Sequence, residues 1–507
     1  MISNVLEWLE EQAKRFPDKV IYESLDESVS TSELRDNARK IGSGILQYQS
    51  KTPIATFLDR DIRCIESYLG IVYSGHAYAP IDSLLPDDRI INILKVLSPE
   101  IIVTNSKWTE KVNALVSQLG YECNVLKYED LLCTDVNSEK LISIQQSFVA
   151  TDPLYVIFTS GSSGIPKGVI TSHGSLINYI EAYSEMMNID EQDRLGNQSP
   201  LDYIAAIRDI YVPLYKGSYT YIIPKEYFMQ PRKLVECLNK KRITCVGWSA
   251  SALVVLSKLK IFKEEPLKYL KKICFSGSVI PNFVLNEWQT NLPNSTFVNQ
   301  YGPTEATASC TYFKLDHVVN LDEQIPIGQP YKNYKVFLLE DDGKICSSGE
   351  MGEICVGGPV LALGYYGDSE RTKKSFIQNP TQHNYIDLIY KTGDFGVYNS
   401  QGNLEFIGRK DRQIKYLGHR VELDEVECAA LKNTHIYEAA VIFDNEKEVI
   451  YLFYVGDEEK KDLILDLRKQ IPSFMVPRKV IKLDEIPKLP NGKVDYKFLA
   501  SKKEELE

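Results

Sequence analysis

Short runs of apolar, β-branched residues alternate with longer amphipathic segments through about the first 330 residues of this chain. Ile101-Ile102-Val103-Thr104, Leu154-Tyr155-Val156-Ile157-Phe158 and Lys272-Ile273-Cys274-Phe275 are examples. A strand that is apolar at nearly every position has no solvent face, so these runs predict parallel strands covered on both sides by crossover helices. From about residue 330 the texture changes. Tyr334-Lys335-Val336-Phe337-Leu338-Leu339 and Gly352-Glu353-Ile354-Cys355-Val356 flank a stretch containing Asp342-Gly343. That is the pattern of hairpins in a more antiparallel region. A polar, turn-rich segment spans 402–411, and a last segment with its own strand signals follows, among them Ala440-Val441-Ile442-Phe443 and Val449-Ile450-Tyr451-Leu452-Phe453-Tyr454. The organisation expected is one domain over 1–410 and a second over 411–507. The second is near the lower end of the size that sustains its own core.

The composition narrows the function classes. At 507 residues the length allows about two to four domains. The net charge is −11, from 58 basic and 69 acidic residues. That balance excludes a general basic surface for nucleic acid but leaves room for local cationic pockets. Residues 1–10 lack a basic leader and a continuous apolar core, so they read as an amphipathic helix rather than a signal peptide. No apolar run approaches the length needed to span a bilayer. The ten cysteines are scattered, with no Cys-x-x-Cys pair, which argues against a zinc ribbon or a disulfide framework. Reduced, mostly buried thiols in a cytoplasmic enzyme are expected, with no membrane and no nucleic-acid partner. The charged tail over 502–507 is expected to fray.

Phe158-Thr159-Ser160-Gly161-Ser162-Ser163-Gly164-Ile165-Pro166-Lys167-Gly168-Val169 is the strongest local signal. Its glycines allow backbone N–H groups to converge on an anion, four hydroxyls add neutral donors, and Lys167 adds a cation. It is a phosphate cradle in composition but not a Walker loop, because Pro166 precedes the lysine and Gly168 follows it. The bland alternative is a Ser/Gly linker, although linkers rarely join two apolar strands.

Tyr155 to Gly168 resembles the signature loop of the adenylate-forming superfamily, which includes acyl-CoA synthetases, firefly-type luciferases and the adenylation domains of nonribosomal peptide synthetases. The resemblance recurs in order along the chain. Gly75-His76-Ala77-Tyr78-Ala79-Pro80-Ile81-Asp82 is similar to an early core motif of the peptide synthetase branch, and Asn299-Gln300-Tyr301-Gly302-Pro303-Thr304-Glu305 contains the Tyr-Gly-Pro-Thr-Glu motif. The segments 352–358, Tyr390-Lys391-Thr392-Gly393-Asp394, 408–415 and Leu489-Pro490-Asn491-Gly492-Lys493-Val494-Asp495 follow. The resemblance implies an α/β fold. A large N-terminal domain would hold parallel-rich sheets with helices and a small β-barrel-like region, and a small, mobile α+β domain would follow. It also implies ATP and Mg²⁺, and a reaction in two halves: a carboxylate attacks the α-phosphorus to give an acyl adenylate and pyrophosphate, then a thiol displaces AMP.

The same resemblance assigns residues. Thr159, Ser160, Gly161, Ser163, Gly164 and Lys167 fall where the family grips the β- and γ-phosphates. Thr304 corresponds to the α-phosphate contact and Glu305 to the metal ligand, a hard carboxylate suited to Mg²⁺. Tyr301 is expected to stack on adenine. Asp394, acceptor-only and two-pronged, suits the ribose diol, with Arg409 beside it. Lys493 would reach the substrate carboxylate and the α-phosphate. Asp411 marks the hinge, and rotation about it would withdraw Lys493 and bring Lys415 and Gly418 to the thiol channel.

Gly418-His419-Arg420-Val421-Glu422-Leu423 and the Leu-Pro-Asn-Gly-Lys ending resemble a stand-alone peptide synthetase adenylation enzyme, or a D-alanyl ligase, more than an acyl-CoA synthetase. The sequence stops soon after Lys493, so the expected acceptor is the phosphopantetheine arm of a separate carrier protein. The acid pocket departs from the amino-acid pattern. Alignment through Asp209-Ile210-Tyr211 puts Ile204 where amino-acid members carry an aspartate for the α-ammonium, with Tyr203 before it. Asp202 recovers that role only if the chain shifts locally. Ala205, Arg208, Gly247, Cys274, Ser276, Gln300, Ala308 and Ser309 fall at other pocket positions. Arg208 in the pocket would favour an anionic or strongly hydrogen-bonding acid, and its alternative is an outward surface arginine. The departure disfavours a standard α-amino acid; the acid expected is an amino acid or amino-acid-like acid, with a keto, hydroxy, aryl or β-amino acid and an unusual amino acid held differently as the alternatives. Two other functions fit the residues: an acyl- or aryl-CoA ligase, and a nucleotide-binding partner protein without catalysis.

Overall fold

The computed structural model describes residues 2–161, 165–340, 342–409, 412–488 and 494–506. Two parallel-rich sheets form most of the N-terminal part. In the seven-stranded sheet, Ile54–Leu58, Tyr78–Asp82, Ile101–Thr104, Asn124–Lys127 and Pro153–Thr159 run parallel, and Lys167–Ser172 folds back antiparallel on Pro153–Thr159. Ile54–Leu58 and Ile101–Thr104 are buried at every position, as a strand covered on both faces must be. The nine-stranded sheet places Cys245–Ser249, Lys272–Ser276 and Thr296–Tyr301 side by side and parallel; Thr311–Leu315 pairs antiparallel with Thr296–Tyr301, and the short Gln329–Pro330 forms the edge. The alternation read from the sequence is this pair of sheets with its crossover helices.

The antiparallel region beyond residue 330 is a five-stranded sheet. Lys335–Leu339 pairs with Gly352–Gly357, and the long strand Leu388–Tyr398 joins Gly352–Gly357, Phe376–Gln378 and Leu404–Arg409. This sheet stands where a barrel-like region is expected. Its long strand carries Thr392 and Asp394 toward the other two sheets.

The C-terminal part begins, among the described residues, with a hairpin of Gln413–Tyr416 and His419–Glu422. Leu417 and Gly418 turn it with φ of +50° and +83°, the positive pair that a two-residue hairpin loop demands. Helix Leu423–Leu431 follows, then a three-stranded sheet of Ile436–Asp444, Val449–Gly456 and Lys479–Lys482. The apolar clusters of this part draw only on residues from Ile414 onward. The expected boundary residues Lys410 and Asp411 lie outside the described residues.

The tail does not fray as expected. Tyr496–Lys502 is helical, Lys503 pairs with the buried Asp444 at 3.1 Å, and Leu506 packs against the apolar face of the sheet. Of the tail's charges, Lys503 and Glu504 pair with Asp444 and Lys447, at the turn end of the sheet's first hairpin, and Lys502 pairs with Glu505 within the tail. Seven of the ten cysteines are buried, and all ten are free thiols, in keeping with the reading of core cysteines. No helix among the described residues is long and apolar enough to cross a membrane.

Candidate functional site

A single cleft opens where Cys245–Ser249, Lys272–Ser276 and Thr296–Tyr301 end, outside the carboxyl ends of parallel strands, where open α/β sheets bind ligands. Four parts of the molecule close it: the turn Thr304–Ala306, the long strand at Thr392 and Asp394, the helical segment from Tyr203 to Arg208, and the C-terminal hairpin.

At one end stands Asp394. Its two oxygens are fixed separately: Tyr301 donates its hydroxyl to Oδ2 at 2.5 Å, and Arg409 pairs with Oδ1. A carboxylate has about four acceptor positions, so a diol still has room on it. Tyr301 is buried, with Phe406 on its flank and the Lys415 ammonium over its ring at 5.2 Å. Burial lowers the Lys415 pKa, and Asp394 pulls it back up. Gly418 brings the hairpin tip against Ser249, where an added Cβ would meet the serine Cβ at 3.0 Å. Lys415, Gly418 and Thr304 thus share this cleft with Asp394 and Arg409.

Ser160, Gly161 and Lys167, described residues of the Gly/Ser-rich loop, meet the C-terminal part. The Arg420 guanidinium grips both oxygens of Glu305, at 3.0 and 2.9 Å, and Tyr365 donates its hydroxyl to the same carboxylate at 2.7 Å. Glu305 is fully buried. Burial would raise its pKa, but Arg420, Tyr365 and Lys167 outweigh it and hold the carboxyl below the ordinary value. Lys167 donates to Glu422 at 3.1 Å, and burial with Arg420 close by lowers its pKa. The Gly161 N–H donates to Glu425 at 3.2 Å, and Arg89 pairs with the other Glu425 oxygen. Ser160 donates to the Arg420 carbonyl at 2.8 Å, while the buried Thr159 Oγ1 has no hydrogen-bond partner among the described residues. Ser163, Gly164 and Lys493 lie outside the described residues. Lys488 and Val494, on either side of 489–493, bridge to one another on the C-terminal domain, and neither lines the cleft.

At the other end of the cleft stand residues that the sequence assigned to an acid pocket. Tyr203, Ile204, Ala205, Arg208, Ser276 and Ala308 line it. Gly247, Cys274 and Gln300 form the bed on which Arg208 lies, and Ser309 joins them through Tyr179 and Tyr331. The surface alternative for Arg208 is overturned: the residue is 2% exposed and turned into the sheet. Asp202 does not shift into the pocket. It lines neighbouring cavities with Asp82, and burial together with Asp82 pushes its carboxyl up to about 7.

The comparisons with known proteins meet this geometry. The family model described as AMP-binding enzyme matches residues 9–366, and that of the AMP-binding enzyme C-terminal domain matches 425–493. The chain belongs to the AMP-binding enzyme family. Tyrocidine synthase 1 of Brevibacillus parabrevis is 29% identical over 497 residues, which take in 97% of this chain and 44% of that protein. The chain therefore spans less than half the length of that relative. A D-alanine–D-alanyl carrier protein ligase of Bacillus cytotoxicus is 30% identical over 515 residues, covering 98% of this chain and 99% of the ligase. The solved structure of an amide bond synthetase from Marinactinospora thermotolerans superposes with a TM-score of 0.84, over 98% of this chain and 99% of that one. At 18% identity this is a likeness of fold alone.

In this AMP-binding enzyme the sequence reading missed four charged residues: Arg89, Arg420, Glu422 and Glu425. A signal was present, since Arg420 and Glu422 are two residues apart in a strand and therefore share a face. Their partners lie 115 and 255 residues away, so the pairing itself was not visible. His419 was missed as well. Its ring stacks on Phe474 at 3.8 Å and stands 5.7 Å from Tyr203 at the mouth of the acid pocket.

Proposed function

We propose that this chain activates a carboxylic acid with ATP and Mg²⁺ as an acyl adenylate, then passes the acyl group to the phosphopantetheine thiol of a carrier protein supplied as a separate chain, in the cytoplasm. The observation that carries the reading is the single cleft, in which Asp394 and Arg409 stand at one end, Thr304 between, and Arg208 at the other, with the hairpin tip over it. The residues present suit the nucleotide and its metal. Thr159 Oγ1 is a buried donor without a partner among the described residues, Lys167 and the Gly161 amide already hold carboxylates as they would phosphate oxygens, and Glu305 already holds a cation. Mg²⁺ held at Glu305 would neutralise charge on the phosphates.

The chain's own residues do the rest by position and charge. Asp394, fixed by Tyr301 and Arg409, accepts from the ribose hydroxyls, and Tyr301 offers adenine an aromatic face. Thr304 donates to the α-phosphate. Lys493 balances the two anions that must meet. The substrate carboxylate oxygen attacks the α-phosphorus, and the bond to pyrophosphate breaks. For the second half, the C-terminal domain turns about Asp411 into the arrangement described above, with Arg420 on Glu305 and Gly418 at the cleft mouth. The thiol, giving up its proton, attacks the acyl carbon, and the bond to AMP breaks.

The test separates the halves. Lys493→Ala should cut adenylate formation, measured as ATP–pyrophosphate exchange, by about 10²–10³-fold, while transfer from preformed adenylate to a phosphopantetheinylated carrier protein survives. Equal loss of both halves overturns the two-arrangement reading. Rapid AMP release with coenzyme A as the sole thiol, and none with the carrier, assigns the chain to the ligases of coenzyme A instead.

A further inference from the structure

Arg208 lies deep in the acid pocket. Gly247 and Cys274 are two residues in from the strand ends Ser249 and Ser276, which puts the guanidinium about 6–7 Å below the rim of the sheet. Gly247 makes this possible, because a Cβ there would stand 3.2 Å from the guanidinium carbon. A guanidinium carries five N–H donors. Among the described residues, four acceptors meet it: the carbonyls of Ala205 and Gly247 at 3.2 Å, the Gln300 Oε1 at 2.7 Å and the Cys274 sulfur at 3.7 Å. All four are neutral. Asp209, next in sequence, accepts from Asn197 at 2.8 Å; its charge attracts the guanidinium from a distance, but among the described residues the two form no ion pair. A cation buried among neutral acceptors carries a desolvation penalty of several kcal/mol, which an anion on the same donors offsets.

The near end of the pocket has the opposite deficit. Ile204 and Arg208 are four residues apart across a helical turn and share a face. Ile204 offers nothing to an ammonium, and Asp202 faces other cavities. Among the described residues, the one carboxylate lining the cleft is Asp394, which Tyr301 and Arg409 hold at the nucleotide end. The described residues thus give the pocket a fixed positive charge at its floor and no negative charge for an α-ammonium.

Resting on the activation reading above, we propose that the acid is a dicarboxylic acid without an α-ammonium group. One carboxylate lies toward Thr304 and reacts, and the other meets the Arg208 guanidinium on the pocket floor. The four acceptors leave one of the five N–H groups open to a carboxylate oxygen, and displacing the long contact to the Cys274 sulfur would free a second; a charge-assisted bond there is stronger than any a neutral acceptor makes.

The experiment compares glutarate, adipate and isophthalate with their monomethyl esters and with L-α-amino acids, by ATP–pyrophosphate exchange and by calorimetric binding in the presence of a non-hydrolysable ATP analogue. The best dicarboxylate should exceed its monoester by at least about 100-fold in kcat/KM. R208M should erase that preference while binding of the ATP analogue is unchanged, and R208K should restore part of it. The wild-type ranking decides even if neither variant folds. Robust exchange with monoacids or L-α-amino acids, in a ranking that R208M leaves unchanged, overturns the inference and leaves the activation reading intact. Dicarboxylate binding that R208M abolishes, with no exchange for any acid, upholds the pocket and overturns the activation reading.

Discussion

Arg420 and Arg208 both line the same cleft, the first half-buried at its phosphate end and the second buried at its acid end. Arg420 grips the two oxygens of Glu305, whereas Arg208 touches only neutral acceptors. Arg420 comes from the C-terminal hairpin and Glu305 from the N-terminal part. The neighbouring pairs follow suit, Lys167 with Glu422 and the Gly161 amide with Glu425. In each of these three pairs the chain supplies both partners, and one of them arrives on the hairpin or on the helix after it. At the acid end the bed of Arg208 is a parallel sheet that has no reason to move. A charge neutralised across a domain junction suits a switch, and a charge left with neutral acceptors on a rigid floor suits a ligand.

The largest expected effect comes from breaking the first of these pairs. Arg420→Met leaves Glu305 buried without its cation, at a cost of about 3–5 kcal/mol to the arrangement in which the hairpin fills the cleft. Transfer of the acyl group from preformed adenylate to the carrier thiol should therefore fall by about 100-fold or more in single-turnover measurements. ATP–pyrophosphate exchange, which needs Glu305 free of Arg420, should change far less. Equal loss of the two activities would make the pair an ordinary structural clamp and remove the contrast with Arg208.

The two ends also differ in how much of them was legible beforehand. The phosphate loop announced itself because its chemistry is local: glycines, hydroxyls and Lys167 between two strands that read as apolar. The parallel sheets were legible for a similar reason, since a strand such as Ile101–Thr104 is buried on both faces and carries no polar alternation to mislead. Arg208 was left open between pocket and surface because its helix, Ile207–Lys216, is buried at every position from Ile207 to Leu214. A helix covered all round has no polar face from which a direction can be read. The clamp of Arg420, Glu422 and Glu425 was out of reach because each partner is supplied by a distant segment. The tail was misread for the same reason: Lys503 looked solvated until Asp444 was beside it.

A smaller effect, on the junction alone, should appear with pH. His419 is stacked on Phe474, and burial, with the charge of Lys225 adding to it, pushes its pKa down to about 4. A depressed histidine favours the packed state fully above its ordinary value near 6.5 and loses that contribution as pH falls from there toward 4. Thiol transfer should therefore weaken about tenfold by pH 5.5 beyond the decline due to the thiol itself. The ratio of wild-type to His419→Phe transfer rates isolates the imidazole, and a flat ratio between pH 7.5 and 5.5 would remove His419 from the junction's energetics.

The smallest expected effect tests the rigidity of the acid end. In Gly247→Ala the new methyl would stand 3.2 Å from the Arg208 Cζ and Nε and 3.3 Å from the Cys274 sulfur, so the guanidinium must give by a few tenths of an ångström. The strand holding Gly247 is hydrogen-bonded on both sides and does not yield, so the side chain moves instead. The low end of overpacking costs applies, about 1 kcal/mol. Because the displaced group is the proposed partner of the distal carboxylate, that cost should appear in the acid and not in the nucleotide. The KM for a dicarboxylate should rise about fivefold, with the KM for ATP unchanged and the loss of monoester activity smaller than that of the diacid. A uniform loss across diacid and monoester would mean that the methyl narrows the pocket as a whole, and that the position of Arg208 is not what the acid senses.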